Sequence, residues 1–264
     1  MSSIYLVLGF KMQTTETPYF RDGSKLYQGR YIDAMPALLK DRLTPISPAS
    51  VMDARNKAVG TGNQDSLWNI YYDTDFGLVA DSKKVYLFPH SKGLRKVSAE
   101  TELTANGIQI KNTSGAKVFK RKDLKLNERL TEKEARSHPL WDAIAENKGR
   151  LDSYVQNTFK LGKDKFNYNE MMGFYVPNDS KPILRAVVLD RLYNWSYAGG
   201  SRDLVNGDAR LVGVRSSASA VSASTQNNGH LESRISEALK QGVAFEHNGL
   251  LYVPVNPEVV QKIK

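Results

Sequence analysis

The chain contains no cysteine. That absence removes disulfide frameworks, thiolate zinc sites, iron–sulfur clusters and cysteine nucleophiles together. Whatever fold the chain adopts must be held by an apolar core and by hydrogen bonds. Its 264 residues, 41% of them apolar, are enough to bury such a core in one large domain or two modest ones, and the composition excludes disorder throughout. The apolar run at residues 4–8 is too short to span a bilayer, has no basic residue before it and no small-residue cleavage site after it, so it reads as a buried strand. With no membrane segment in the sequence, the default expectation is a soluble, cytoplasmic protein.

Local signals predict an α+β fold with a β-rich first half. Tyr19, Phe20 and Arg21 and then Lys25, Leu26 and Tyr27 flank Asp22-Gly23 as a hairpin. Ser47-Pro48 gives a helix N-cap and first-turn proline, with Val51, Met52, Arg55, Ala58 and Val59 at helical spacing as far as Gly60. Residues 67–72 and 76–80 read as strands. The chain changes character after Arg129, a candidate sub-boundary within the main body. Thr131 and Glu134 fit a capping box, and Leu140, Ile144, Leu151, Val155 and Phe159 predict a long amphipathic helix after Pro139. Leu184, Val187, Val188, Leu192 and Trp195 predict a second helix ending before Gly199-Gly200, although Ala186 to Leu189 also suit a buried strand. The second half is therefore expected to be mainly helical, with a strand at 208–215. Residues 216–229 are small, polar and without period, which predicts a linker between a main body, 1–215, and a C-terminal unit, 230–264. That unit reads as a helix carrying Leu231, Ile235 and Leu239, then a hairpin around Asn248-Gly249, too small to be stable alone.

Lysine and arginine exceed aspartate and glutamate by nine, and the excess is unevenly placed. Residues 1–82 carry a net −1, residues 83–125 a net +8 and residues 126–264 a net +2. Within 83–125, short β-type runs (84–88, 108–110 and 117–119) alternate with turn signals, which predicts a basic antiparallel meander. Lys92, Arg95, Lys96, Lys111, Lys117, Lys120, Arg121, Lys122 and Lys125 are the candidate contacts to phosphate oxygens or another acidic partner, with Arg191 and Arg202 as a second group. Lysines on an edge strand that resist aggregation explain the same pattern without a ligand. Tyr193, Trp195 and Tyr197 would share a stacking face on a strand and diverge on a helix, where Trp195 is core.

Evidence for chemistry is thinner. Asp73 and Asp75 sit at i,i+2, which on a strand directs both carboxylates to one side, as a divalent ion would require; Asp53, Glu100 and Glu102 are the third acids that such a site could recruit. Asp73-Thr74-Asp75 before Phe76-Gly77 also makes an ordinary strand-to-turn connection. An EF-hand is excluded because Lys84 stands at its twelfth position, and the loop from Gly60 to Asn63 lacks the Gly-Lys-Ser/Thr of a P-loop. His90, His138, His230 and His247 show no metal-ligand spacing, and no nucleophile elbow occurs. No cofactor or resident metal is expected. The first expectation is non-catalytic binding of nucleic acid or another polyanion through the basic meander. A structural or assembly subunit of a larger oligomer, using the C-terminal unit, is the alternative, and a metal-dependent phosphodiesterase using Asp73 and Asp75 is third.

Overall fold

The computed structural model describes residues 12–17, 19–20, 23–105, 107–179, 181–200 and 203–215, and the backbone of 245–247 and 250–252. The apolar run at 4–8, Arg202, the 216–229 segment and the expected helix carrying Leu231, Ile235 and Leu239 lie outside the described residues. The chain divides into two compact units, Met1–Arg215 and Ser216–Lys264. In chain order the first unit comprises β1 (Gln13–Glu16), β2 (Lys25–Gly29), α1 (Tyr31–Lys40), β3 (Thr44–Pro45), α2 (Pro48–Ala58), α3 (Gln64–Trp68), β4 (Tyr72–Ala80), β5 (Lys84–Phe88), β6 (Ile108–Gln109) and β7 (Lys117–Lys120). It continues with α4 (Glu132–Ser137), α5 (Pro139–Ala145), α6 (Lys148–Phe166), β8 (Phe174–Tyr175), β9 (Ile183–Leu189), β10 (Ala198–Gly199) and β11 (Ala209–Val214). In the second unit, β12 (Phe245–His247) and β13 (Leu250–Tyr252) form the expected antiparallel hairpin.

The class is α+β. One mixed sheet runs β1-β2-β11-β4-β9-β10-β8. β4 lies at its centre, parallel to β11 and antiparallel to β9. Its C-terminal half also pairs with β5, which pairs in turn with β7, so among the described residues β7 is an edge. Two buried clusters flank the sheet. On one side α2, α5 and α6 pack Met52, Trp141, Tyr154 and Val155 against Tyr72, Phe76, Leu78 and Ala80 of β4. On the other, α1 packs Tyr31, Met35 and Leu38 with Val79, Leu184, Ala186 and Leu211. A central strand covered on both faces is buried in both parities, which is why Phe76–Ala80 of β4 and most of β9 are continuously apolar and why the polar exceptions, Asp73, Thr74, Asp75 and Arg185, are buried as well. Gly77 is part of that fit, since a Cβ there would stand 2.6 Å from Leu184 Cδ1 and 3.0 Å from Ser91.

The local capping signals translate directly. Ser47 Oγ accepts from Ser50 N–H at the start of α2, and the Thr131–Glu134 capping box opens α4. Several longer-range expectations are corrected. The helix predicted at 184–195 is strand β9 followed by a one-turn 3-10 helix, Leu192–Asn194: its seven buried residues are paired on both sides, and burial on both faces mimics helical periodicity. The second half is thus helical only through Phe166 and then returns to the sheet. The long helix after Pro139 is two helices, because Glu146 adopts a left-handed conformation (φ 61°) and Asn147 caps α6 anew by accepting from Arg150 N–H. Residues 64–68 form α3 where a strand was expected from Leu67, and the strand begins only at Tyr72. The first hairpin has its outer strand at β1, not at Tyr19 and Phe20, so its connection is longer than an Asp-Gly turn. Ile108 and Gln109 leave the basic meander and pair with β9.

Candidate functional site

The expected acidic site lies inside the sheet. Asp73 and Asp75 stand near the beginning of β4, where four steps of β4, from Asp73 to Gly77, run against two of β9. A bulge of two residues preserves parity, so both aspartates keep to the side of Val79 and α1, as their spacing predicts. Tyr31 Oη donates to the Thr74 carbonyl at 2.9 Å, and burial together with the nearby Asp75 and Asp73 charges raises the Tyr31 pKa well above its ordinary value. Both carboxylates are buried and engaged. Asp73 Oδ2 accepts from Arg210 N–H at 2.8 Å. Asp75 Oδ2 accepts from Arg95 Nε at 2.9 Å and from its Nη2, and lies 3.1 Å from His90 Nδ1. Asp53, one of the third acids, is held by Arg150 at 2.8 Å. Among the described residues no group of three or more His, Asp or Glu is arranged to hold a metal ion. Buried in the sheet, the pair accepts hydrogen bonds from the Arg210 N–H of β11 and from Arg95 after β5, which ties those elements to β4. An arginine paired with a buried carboxylate is committed, so Arg95 leaves the set of available cations.

The remaining basic residues divide into three groups. Lys92, Lys96 and Lys111 are exposed, in the loop after β5, in the 3-10 turn Leu94–Lys96 and just after β6. Lys125 is paired with Glu134 at 2.9 Å, an interaction that raises the Lys125 pKa. Lys117 opens β7, Lys120 ends it and Arg121 and Lys122 follow, and the β5–β7 register adds a residue absent from the sequence-based contact set, Lys84, directly opposite Lys120. Lys83 precedes it. Arg121 donates to the Asp81 carbonyl at 3.2 Å. The nearby acids are Asp81 and Asp123. Burial opposes ionisation of Asp81, but donation from Lys83 N–H and Lys84 N–H, both at 2.7 Å, overcomes it and holds the carboxyl below its usual range.

Strand parity splits this group. Val85, Leu87 and Phe119 face the cluster beneath α5 and α6, and Lys117 shares that side of β7. Lys84, Tyr86, Val118 and Lys120 share the other face, where Val118 is 53% exposed. Like charges directly opposite each other on a sheet repel, and Lys84 and Lys120 are such a pair.

Tyr193, Trp195 and Tyr197 form no stacking platform. Trp195 and Ser196 have positive φ (63° and 47°), so Tyr193, Trp195 and Tyr197 lie on a turn and share no face. Trp195 instead lies between the Tyr168 ring, 3.8 Å between centroids, and the Arg129 guanidinium, 3.2 Å from its centroid; two groups so close to one ring must lie on opposite sides of it. Arg191 lies over Tyr193 and Tyr71. Arg185 is buried and paired with Asp179. Sequence spacing carries no sign of the Arg129–Trp195–Tyr168 stack, whose members are distant in the chain. A shallow groove beside it is lined by Glu132, Gln156, Phe159, Lys160, Lys163 and Tyr168.

No protein-family model matches the chain, and no curated protein matches it. Among solved structures, a chain from work on the accommodation of massive sequence variation in Nanoarchaeota by the C-type lectin fold is similar at 14% identity, with a TM-score of 0.56, covering 76% of this chain and 100% of that one. The likeness is one of fold. No helix among the described residues is long and apolar enough to cross a membrane.

Proposed function

We propose that the protein is a non-catalytic polyanion-binding module whose contact surface is the β5–β7 edge. One observation carries this reading: Lys84 and Lys120 are set opposite each other, with Lys83, Arg121 and Lys122 next to them in sequence and Lys117 on the other face of the same edge strand, and with only Asp81 and Asp123 close in sequence. The repulsion within that group is relieved when an anionic chain lies across it, and neutralised contacts release counterions from a nucleic acid. Burial of Asp73 and Asp75 within the sheet supports binding over phosphodiester chemistry. The Nanoarchaeota neighbour's fold accommodates massive sequence variation, which fits a scaffold whose function resides in exposed side chains and not in buried ones.

The test is the salt dependence of binding to duplex DNA. Neutralising Lys84, Lys117, Lys120 and Lys122 together to Gln should weaken binding and flatten the plot of log affinity against log salt by up to about 0.9 per lost contact. An unchanged slope in a variant that melts normally refutes the assignment.

A further inference from the structure

We infer, building on the polyanion-binding reading, that the anionic partner is an extended acidic polypeptide segment added as a further strand to β7. The backbone supplies the first argument. Arg121 N–H donates to the Lys83 carbonyl at 2.8 Å. Bonded positions recur every second residue in an antiparallel pair, so Phe119 and Lys117 turn their N–H and C=O groups toward β5, while Val118 and Lys120 turn theirs to the opposite side. The other edge of β5 agrees: Asp81 N–H donates to the Lys84 carbonyl at 3.0 Å, which commits Lys84, Tyr86 and Phe88 to β4 and leaves Val85 and Leu87 for β7. Among the described residues β7 pairs with β5 alone, so the outward N–H and C=O of Val118 and the N–H of Lys120 form an open template, while the Lys120 C=O opens the 3-10 turn Arg121–Asp123.

Side-chain chemistry selects the occupant. An antiparallel strand on that edge places its residues in rows continuing those of β5 and β7. Opposite Lys120 the row already holds Lys84 and Lys120, and it calls for a carboxylate. Opposite Val118 the row holds Tyr86 and the exposed Val118, and it favours an apolar side chain. On the other face an apolar residue meets Phe119 and a second carboxylate meets Lys117. The complementary segment reads acidic, apolar, apolar, acidic. A second copy of this chain is disfavoured, because pairing β7 with itself would bring together two sets of Lys117, Lys120, Arg121 and Lys122. The lysines therefore discourage self-association and favour an acidic strand.

The distinguishing experiment separates backbone pairing from charge attraction. The probe is a fluorescein-labelled ten-residue peptide with the core Glu-Val-Val-Glu flanked by Ser and Thr, with duplex DNA measured in parallel. Val118→Pro removes an N–H that points away from β5, so the fold should persist while the incoming strand loses its donor and meets the proline ring. At least about a tenfold loss of peptide affinity is expected, with the DNA salt slope unchanged, since no charge is altered. Methylating the peptide amide that would donate to the Val118 carbonyl should weaken binding to the unaltered protein, and this arm does not depend on the variant folding. Full-strength binding of the methylated peptide, or of the peptide to folded Val118→Pro, overturns strand addition while leaving the polyanion reading standing. Absence of salt-dependent binding to both probes overturns that reading and the inference with it.

Discussion

β4 and β7 belong to the same sheet, yet their charged residues face opposite circumstances. Every residue of β4 is buried, including Asp73 and Asp75, whereas Lys117, Val118 and Lys120 of β7 are exposed. At the centre of a sheet, a carboxylate persists only if neighbouring elements deliver donors to it, and Arg95, His90 and the Arg210 N–H do so. At the edge, solvent replaces those donors and the charges remain available. The difference teaches that a charge's position across a sheet, more than its position along a strand, decides whether it belongs to the architecture or to the surface.

The sharpest challenge to this comparison is Arg95→Ala. It leaves the buried Asp75 carboxylate with His90 as its remaining side-chain partner, and its Oδ1 already has no hydrogen bond. Stripping a partner from a buried charge costs several kcal/mol, and because Arg95 is itself a third exposed the expected loss is near the low end, about 3 kcal/mol. Urea denaturation measures it. Adding Asp75→Asn should recover much of the loss, because an amide needs no counter-charge; a double variant as unstable as the two single losses combined would show that the charges are not coupled.

Glu134 is an intermediate case, half-buried and fully engaged. Its carboxylate accepts from Thr131 N–H and from Lys125, which holds its pKa at about 2 against an ordinary 4.5. A depressed carboxylate pKa stabilises the fold above the unfolded value and loses that contribution as pH falls through the folded one. The stability difference between the protein and Glu134→Ala should therefore be constant above about pH 4.5 and shrink toward pH 2. A pH-independent difference would assign the effect to packing. The smallest effect belongs to the edge. Lys120→Thr removes repulsion with Lys84 and should stabilise by about 0.2–1 kcal/mol at low salt. The gain should vanish near 1 M salt, where screening acts over roughly 3 Å. Destabilisation by this change would mean that the Lys120 stem packs, as the residues of β4 do.

Legibility in the sequence followed the range of the interaction. The caps at Ser47 and Thr131 were readable because donor and acceptor lie three residues apart. α1 went unread because Pro36 interrupts it, although Tyr31, Ile32, Met35 and Leu38 line one buried stripe. Arg55 was legible as part of the apolar stripe of α2 but not as a wholly buried cation, because its acceptors, the carbonyls of Leu67 and Ile70 and the Tyr154 hydroxyl, come from other elements. The basic segment was visible as composition, while its division between two faces of β7 required the register with β5.

The sequence by itself determined the caps, the concentration of positive charge at 83–125 and the α+β class, because each depends on residues that are neighbours along the chain or on composition. Only the tertiary structure decided that residues 183–189 are a strand, that Asp75 is partnered by Arg95 and that Lys84 stands opposite Lys120. Those outcomes depend on which strands pair and on which faces are covered. Strand pairing joins residues far apart in sequence, and a strand buried on both faces loses the period-2 signal that would reveal it.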